Sequence, residues 1–104
     1  MVNRLENLNA QELYERGFEI KDGSLVNAWA ADLGGVAVAY IIECNYSPRW
    51  NVEVYSGEDG NGWTMGQGYA DNFTDAWKEA MDEARGVFDT WITDALQLFG
   101  PRAQ

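Results

Sequence analysis

Asp75, Glu79, Asp82, Glu83 and Asp89 recur at near-helical spacing through TDAWKEAMDEARGVFDTW, residues 74–91. A row of carboxylates lends itself to three kinds of chemistry: paired acid–base work, cation ligation, or contact with a basic surface. Paired carboxylates serve glycoside hydrolysis when two of them flank a sugar bond. The chain has 17 Asp and Glu residues, so some pair falls at a suitable distance by chance and the pairing carries no information. Histidine is absent, which removes the commonest general base, the commonest metal ligand and the usual activator of serine or cysteine nucleophiles. The expectation is therefore a protein that is not an enzyme and has no catalytic residues.

Cation and phosphate sites fail on spacing. Asp59 and Asn61 resemble the start of a calcium loop, but the twelfth position counted from Asp59 is Ala70 rather than glutamate. No metal site is expected. The glycine-rich GEDGNGWTMGQGYADNF (57–73) precedes a helix, yet it lacks G-x-x-x-x-G-K-[ST], and Gly60-x-Gly62 has no glycine three residues on. Asp71 and Asp75 would repel a phosphate at the helix start. No cofactor is expected, and the glycines read as turns.

What remains is contact with a basic surface. Exposed helix faces usually mix signs, with opposite charges supporting each other at i,i+4. Six acids lie between Asp75 and Asp94, interrupted only by Lys78 and Arg85, which flank the stripe by angle. Glu58, Asp59 and Asp71 are expected to join the same negative region. At ~1.5 Å per residue the helix from Asp75 to Asp94 spans about 28 Å. That gives roughly one net charge per 7 Å, far more dilute than the one per ~1.7 Å of duplex DNA. The helix alone is too sparse to copy a duplex, and a partial imitation needs the loop acids. Trp50, after Pro48-Arg49 at a loop edge, suits either an interface anchor or a cap on one end of the core. Trp63 is open between the same two roles.

The elements that hold these residues follow from pattern. NRLENLNAQELYERG (3–17) favours a short helix with Asn9 as cap, Glu12 completing a capping box and Gly17 as stop. Asp22-Gly23 between two strand-like runs signals a hairpin. VAVAYIIEC (36–44) alternates large and small residues, as a central strand covered by a helix does. On it, Tyr40 and Cys44 are expected in the core. WNVEVYS (50–56) turns Trp50, Val52 and Val54 to one face. WTMGQGY (63–69) is a weaker strand, in which Gly66 and Gly68 mark a bulge or a close backbone approach.

From Phe73 to Phe99 apolar residues gather on one stripe, with Asn72 as N-cap and Gly100-Pro101 as stop. Trp77 and Trp91 lie on that stripe. The fold class is α+β: a short N-terminal helix, an antiparallel sheet of three to five strands, and a long C-terminal amphipathic helix packed across the sheet. Residues 1–104 form one domain.

Composition bounds the rest. A chain of 104 residues buries about 60–70% of its surface on folding. Hydrophobic content of 46%, with five tryptophans, five tyrosines and four phenylalanines, suffices for a core. The net charge of −10 repels nucleic acid and anionic membrane and attracts basic protein surfaces. Cys44 is the only cysteine, and the N-terminus carries no apolar leader, so the expected location is the cytoplasm of a host cell. The expected state is a monomer or homodimer, with no direct nucleic-acid binding and no membrane attachment.

The order helix, antiparallel strands, helix resembles the double-stranded-RNA-binding domain in topology. That family grips phosphates with lysines at the start of its last helix, where this chain reads DNFTDAWKEA, one lysine among acids. In size, acidity and lack of catalytic motifs the whole chain resembles the small anti-defence proteins of bacteriophages, including anti-CRISPR proteins and DNA-mimic inhibitors. This likeness implies a stoichiometric inhibitor that docks its acidic face on a basic nucleic-acid channel of a host complex. The residues expected at that contact are Asp75, Glu79, Asp82, Glu83, Asp89, Glu58, Asp59 and Trp50. The alternative is a phage or plasmid assembly module that oligomerises through Trp50, Trp63 and Tyr55.

Overall fold

The computed structural model describes residues 2–84. Five strands, β1 (Val2–Asn7), β2 (Leu25–Leu33), β3 (Ala37–Cys44), β4 (Trp50–Ser56) and β5 (Thr64–Ala70), form one antiparallel sheet in the order β1-β2-β3-β4-β5. Helix α1 (Ala10–Glu15) follows β1, and α2 (Phe73–Glu83) follows β5. The class is α+β with antiparallel strands, as the pattern predicts. Two details differ.

The N-terminal segment opens with a strand before its helix. Asn9 caps α1, accepting from the Glu12 N–H at 2.8 Å while Glu12 Oε1 accepts from the Asn9 N–H at 3.0 Å. Gly17 closes it at φ 90°. The Asp22-Gly23 pair makes a turn but no hairpin. Ser24 N–H bonds back to the Lys21 carbonyl at 2.9 Å, and residues 18–21 belong to no strand. Phe18 and Ile20 instead fold onto the sheet.

Among the described residues α2 has 11 positions and ends at Glu83, with Ala84 as its C-cap. The stripe expected to run on to Phe99, with Asp89 and Trp91 on it, lies outside the described residues.

Strand β3 is central, and both of its faces are covered. Ala37, Ala39 and Ile41 pack with Val52, Val54, Phe73, Trp77, Ala80 and Met81 in one cluster. Val38, Tyr40, Ile42 and Cys44 pack on the other side with Leu8, Leu13 and Phe18. Burial on both sides explains why VAVAYIIEC is almost continuously apolar.

Helix α2 lies on β4 and β5, and glycines let it approach. A Cβ at Gly68 would overlap the Ala76 carbonyl oxygen, and one at Gly66 the Ala80 carbonyl oxygen. The sequence anticipated either a bulge or a close approach, and both occur. Val54 faces Gly66 while Tyr55 faces Thr64, which leaves Met65 as the extra residue. Trp77 is fully buried at this contact, at 0% exposure.

Candidate partner-binding surface

Asn72 starts α2 at a fixed point. Its side-chain oxygen accepts from the Asp75 N–H at 2.9 Å, and its amide donates to Asp75 Oδ2 at 2.9 Å. Asp75 thus contributes to the helix start, where the dipole is positive. Phe73, Ala76, Trp77, Ala80 and Met81 point to the sheet. The same geometry turns Asp75, Lys78, Glu79, Asp82 and Glu83 to the outside, and all five are exposed. Glu79 and Glu83 make no ion pair among the described residues. The helix therefore turns four acids and one lysine outward, over three turns.

The loop acids sit elsewhere. The β4–β5 loop folds over the sheet face opposite α2. There the Tyr40 hydroxyl donates to the Asp59 carbonyl at 3.4 Å, and a Cβ on Gly60 would stand 2.6 Å from that hydroxyl oxygen. Tyr40 belongs to the cluster away from α2. Asp59 is exposed, and its carboxylate accepts from the Asn61 N–H at 3.2 Å within the loop. Glu58 beside it is exposed as well. The expectation of one continuous acidic face is corrected accordingly: the helix acids and Asp59 lie on different sides of the sheet. Side-chain alternation in β3 and the loop's fold decide this, and neither is visible in loop composition.

Trp50 is also corrected as an exposed anchor. It is 6% exposed, with its ring stacked 6.2 Å from Trp29 and edge-on to Phe73 at 5.4 Å. Its neighbour Arg49 turns away and pairs with Glu43. Asp71 joins no outer stripe. Its Oδ1 accepts from Ser47 Oγ at 2.7 Å and from the Arg49 N–H at 3.2 Å, tying the β3–β4 turn to the end of β5. Trp63 is the exposed tryptophan of the pair left open, at 75%. Val36, 48% exposed, lies at the same end of the sheet, where its carbonyl accepts from the Gly57 N–H at 2.9 Å.

A polar aromatic group escaped the sequence reading. Glu53 on β4 accepts hydrogen bonds from the Tyr55 hydroxyl at 3.0 Å, the Tyr69 hydroxyl at 3.3 Å and Gln67 Nε2 at 3.4 Å. Burial pushes the Tyr69 phenol above its ordinary range, and the negative charge of Glu53 adds to the shift, with a smaller part from Glu83. Burial also raises Tyr55 and Tyr40. At Tyr40 the Arg16 hydrogen bond and charge act in the opposite direction. The signal was present in the alternation Asn51, Glu53, Tyr55 against Gln67, Tyr69, but cross-strand register is needed to bring the two rows together.

Among the described residues no cluster of three or more His, Cys, Asp and Glu could hold a metal ion, and no helix is long and apolar enough to cross a membrane. An open pocket of about 520 Å³ is lined by Lys21, Ser24, Asn45 and Tyr46, and no carboxylate is among these. No family model, curated protein or solved structure matches the chain.

Proposed function

We propose that this chain is a non-enzymatic acidic binding protein that occupies a basic surface of a nucleic-acid-handling host complex and inhibits it, in the manner of phage anti-CRISPR or anti-restriction proteins. The observation that carries the reading is the outer face of α2. Asp75, Glu79, Asp82 and Glu83 are all exposed there, with Lys78 as the single base among the described residues of the helix. The net charge of −10 favours encounter with Lys/Arg-rich protein surfaces and opposes nucleic acid and anionic membrane. Asp89 extends the proposed face in sequence, outside the described residues. Glu58 and Asp59 would serve as a separate contact, reached by a partner that wraps around the sheet.

The test is capture from host lysate with the immobilised chain and with a triple variant, Asp75→Lys, Glu79→Lys and Asp82→Lys, quantified by mass spectrometry. A nucleic-acid-handling protein enriched by the wild type and lost from the variant supports the reading. Equal recovery by both overturns it.

The exposure of Trp63 favours a second reading, an assembly module that self-associates through its aromatic tip. Light scattering at low and high salt separates the two. A salt-insensitive oligomer that Trp63→Ala dissolves would establish assembly, and a monomer at both concentrations would rule it out.

A further inference from the structure

On the sheet face away from α2, the cover made by Leu13 and Phe18 lies over Ala28, Val38, Tyr40 and Ile42 and reaches Tyr55 at its edge. Beyond it, β4 and β5 present Asn51, Glu53, Gln67 and Tyr69, each half-buried or exposed. Register brings them together, because Glu53 stands opposite Gln67 and Asn51 opposite Tyr69.

The donor–acceptor balance of this patch is uneven. The three groups that donate to Glu53 are neutral, and no lysine or arginine pairs with it among the described residues. They hold the carboxylate in place without cancelling its charge. Asn51 Oδ1 is buried without a hydrogen-bond partner. A fixed, uncompensated carboxylate therefore sits two residues from an acceptor that lacks a donor, beside the rings of Tyr55 and Tyr69.

We propose that this patch binds the guanidinium group of an arginine side chain presented by a partner protein. Glu53 takes its N–H groups, and the Tyr69 ring flanks its plane. The chemistry selects this occupant. Guanidinium is planar and permanently charged and pairs well with a carboxylate, which suits Glu53, whose Oε2 takes a single neutral donor. Aromatic ring faces attract cations. The overall field of the chain repels an anion at the same place. Glu53 is held in advance by its three hydrogen bonds, so little side-chain ordering is needed on binding. The site uses none of Asp75, Glu79 and Asp82, so it stands or falls separately from the face they form. Of the α2 acids, Glu83 acts on Tyr69 through its charge.

The experiment uses three capped tripeptides, Gly-Arg-Gly, Gly-Lys-Gly and Gly-citrulline-Gly, titrated into the full chain at about 150 mM salt, where remote charges are screened. The side-chain amide signals of Asn51 and Gln67 report binding by NMR. The arginine peptide is expected to shift both signals saturably, the lysine peptide more weakly, and the uncharged citrulline peptide not at all. Glu53→Gln, which keeps the acceptor oxygen for the tyrosines, should weaken the arginine peptide about fivefold, the upper range of an exposed ion pair. Should Glu53→Gln fail to fold, Tyr69→Ala replaces it, with weakening of about threefold expected from loss of the ring. The triple α2 variant should bind the arginine peptide within about twofold of wild type. Absence of saturable shifts at Asn51 and Gln67, equal binding of citrulline, or unchanged affinity in the variant that folds would overturn the proposal.

Discussion

Against α2 the sheet presents Ala39, Ile41, Val52 and Val54, with Gly66 and Gly68 admitting the helix backbone. On the opposite side the apolar cover gives way beyond Tyr55 to Glu53, Gln67 and Tyr69, whose polar groups bond to one another. One side is committed to folding, since any added atom or lost ring there disturbs helix-to-sheet packing. The other keeps part of its face in polar side chains that the fold positions without sealing. The same division runs through α2 itself: Phe73, Ala76, Trp77, Ala80 and Met81 are buried, and its acids are turned outward. Recognition is therefore available where the core is not.

Substitutions on the two sides should separate cleanly. Trp77→Ala empties a fully buried site and is expected to cost about 3–5 kcal/mol, read from urea melts. A cost below about 1 kcal/mol would mean that α2 is not anchored as described. Gly68→Ala adds a single methyl group against the Ala76 carbonyl and should cost about 1–3 kcal/mol through forced separation of helix and strand. Asn72→Ala removes the α2 cap and should cost ~1 kcal/mol, with Asn9→Ala at α1 of similar size. On the polar side, Tyr69→Phe should stay within about 0.5 kcal/mol, as surface changes usually do. A larger loss would move the Glu53 group from the surface into the fold's own support.

The buried phenol gives a pH test of the same contrast. Burial raises Tyr40 above its ordinary value, so the folded state holds its proton more tightly than the unfolded chain. That stabilisation is complete below the unfolded pKa, about 10. It is lost as pH rises through the higher folded value. Melting temperature should fall above about pH 10, and Tyr40→Phe should flatten part of the fall. An identical alkaline profile in the variant would contradict the assignment of Tyr40 to the core.

Several parts of this arrangement were legible in the residues. Asn9 with Glu12, Asn72, the alternation of β4 and the paired glycines of β5 each act locally, through a cap, a period of two or a missing Cβ. Strand β1 was not legible, because VNRLEN offers only Val2 and Leu5 as apolar residues and its pairing comes from the backbone of β2. The Asp22-Gly23 turn misled because β1 and β3 already pair with both edges of β2, while Phe18 and Ile20 join the cluster with Val38 and Tyr40. Trp50 read as a loop-edge residue until Trp29 and Phe73 closed around it. The acidic outer face of α2 was readable from angle alone. The position of Asp59 over Tyr40 was not, since it depends on which way a glycine-rich loop folds. The Glu53 group depends on strand register in the same way.

The central claim, that the exposed acids of α2 meet a basic protein surface, is tested most directly by association kinetics with the captured host protein. The on-rate is measured for wild type and for the Asp75→Lys, Glu79→Lys, Asp82→Lys variant between about 50 and 500 mM salt. The account predicts a wild-type on-rate that drops at least tenfold across that range, and a variant whose rate is slow and nearly flat. A wild-type on-rate independent of salt, or a variant that associates as fast as wild type, would contradict it.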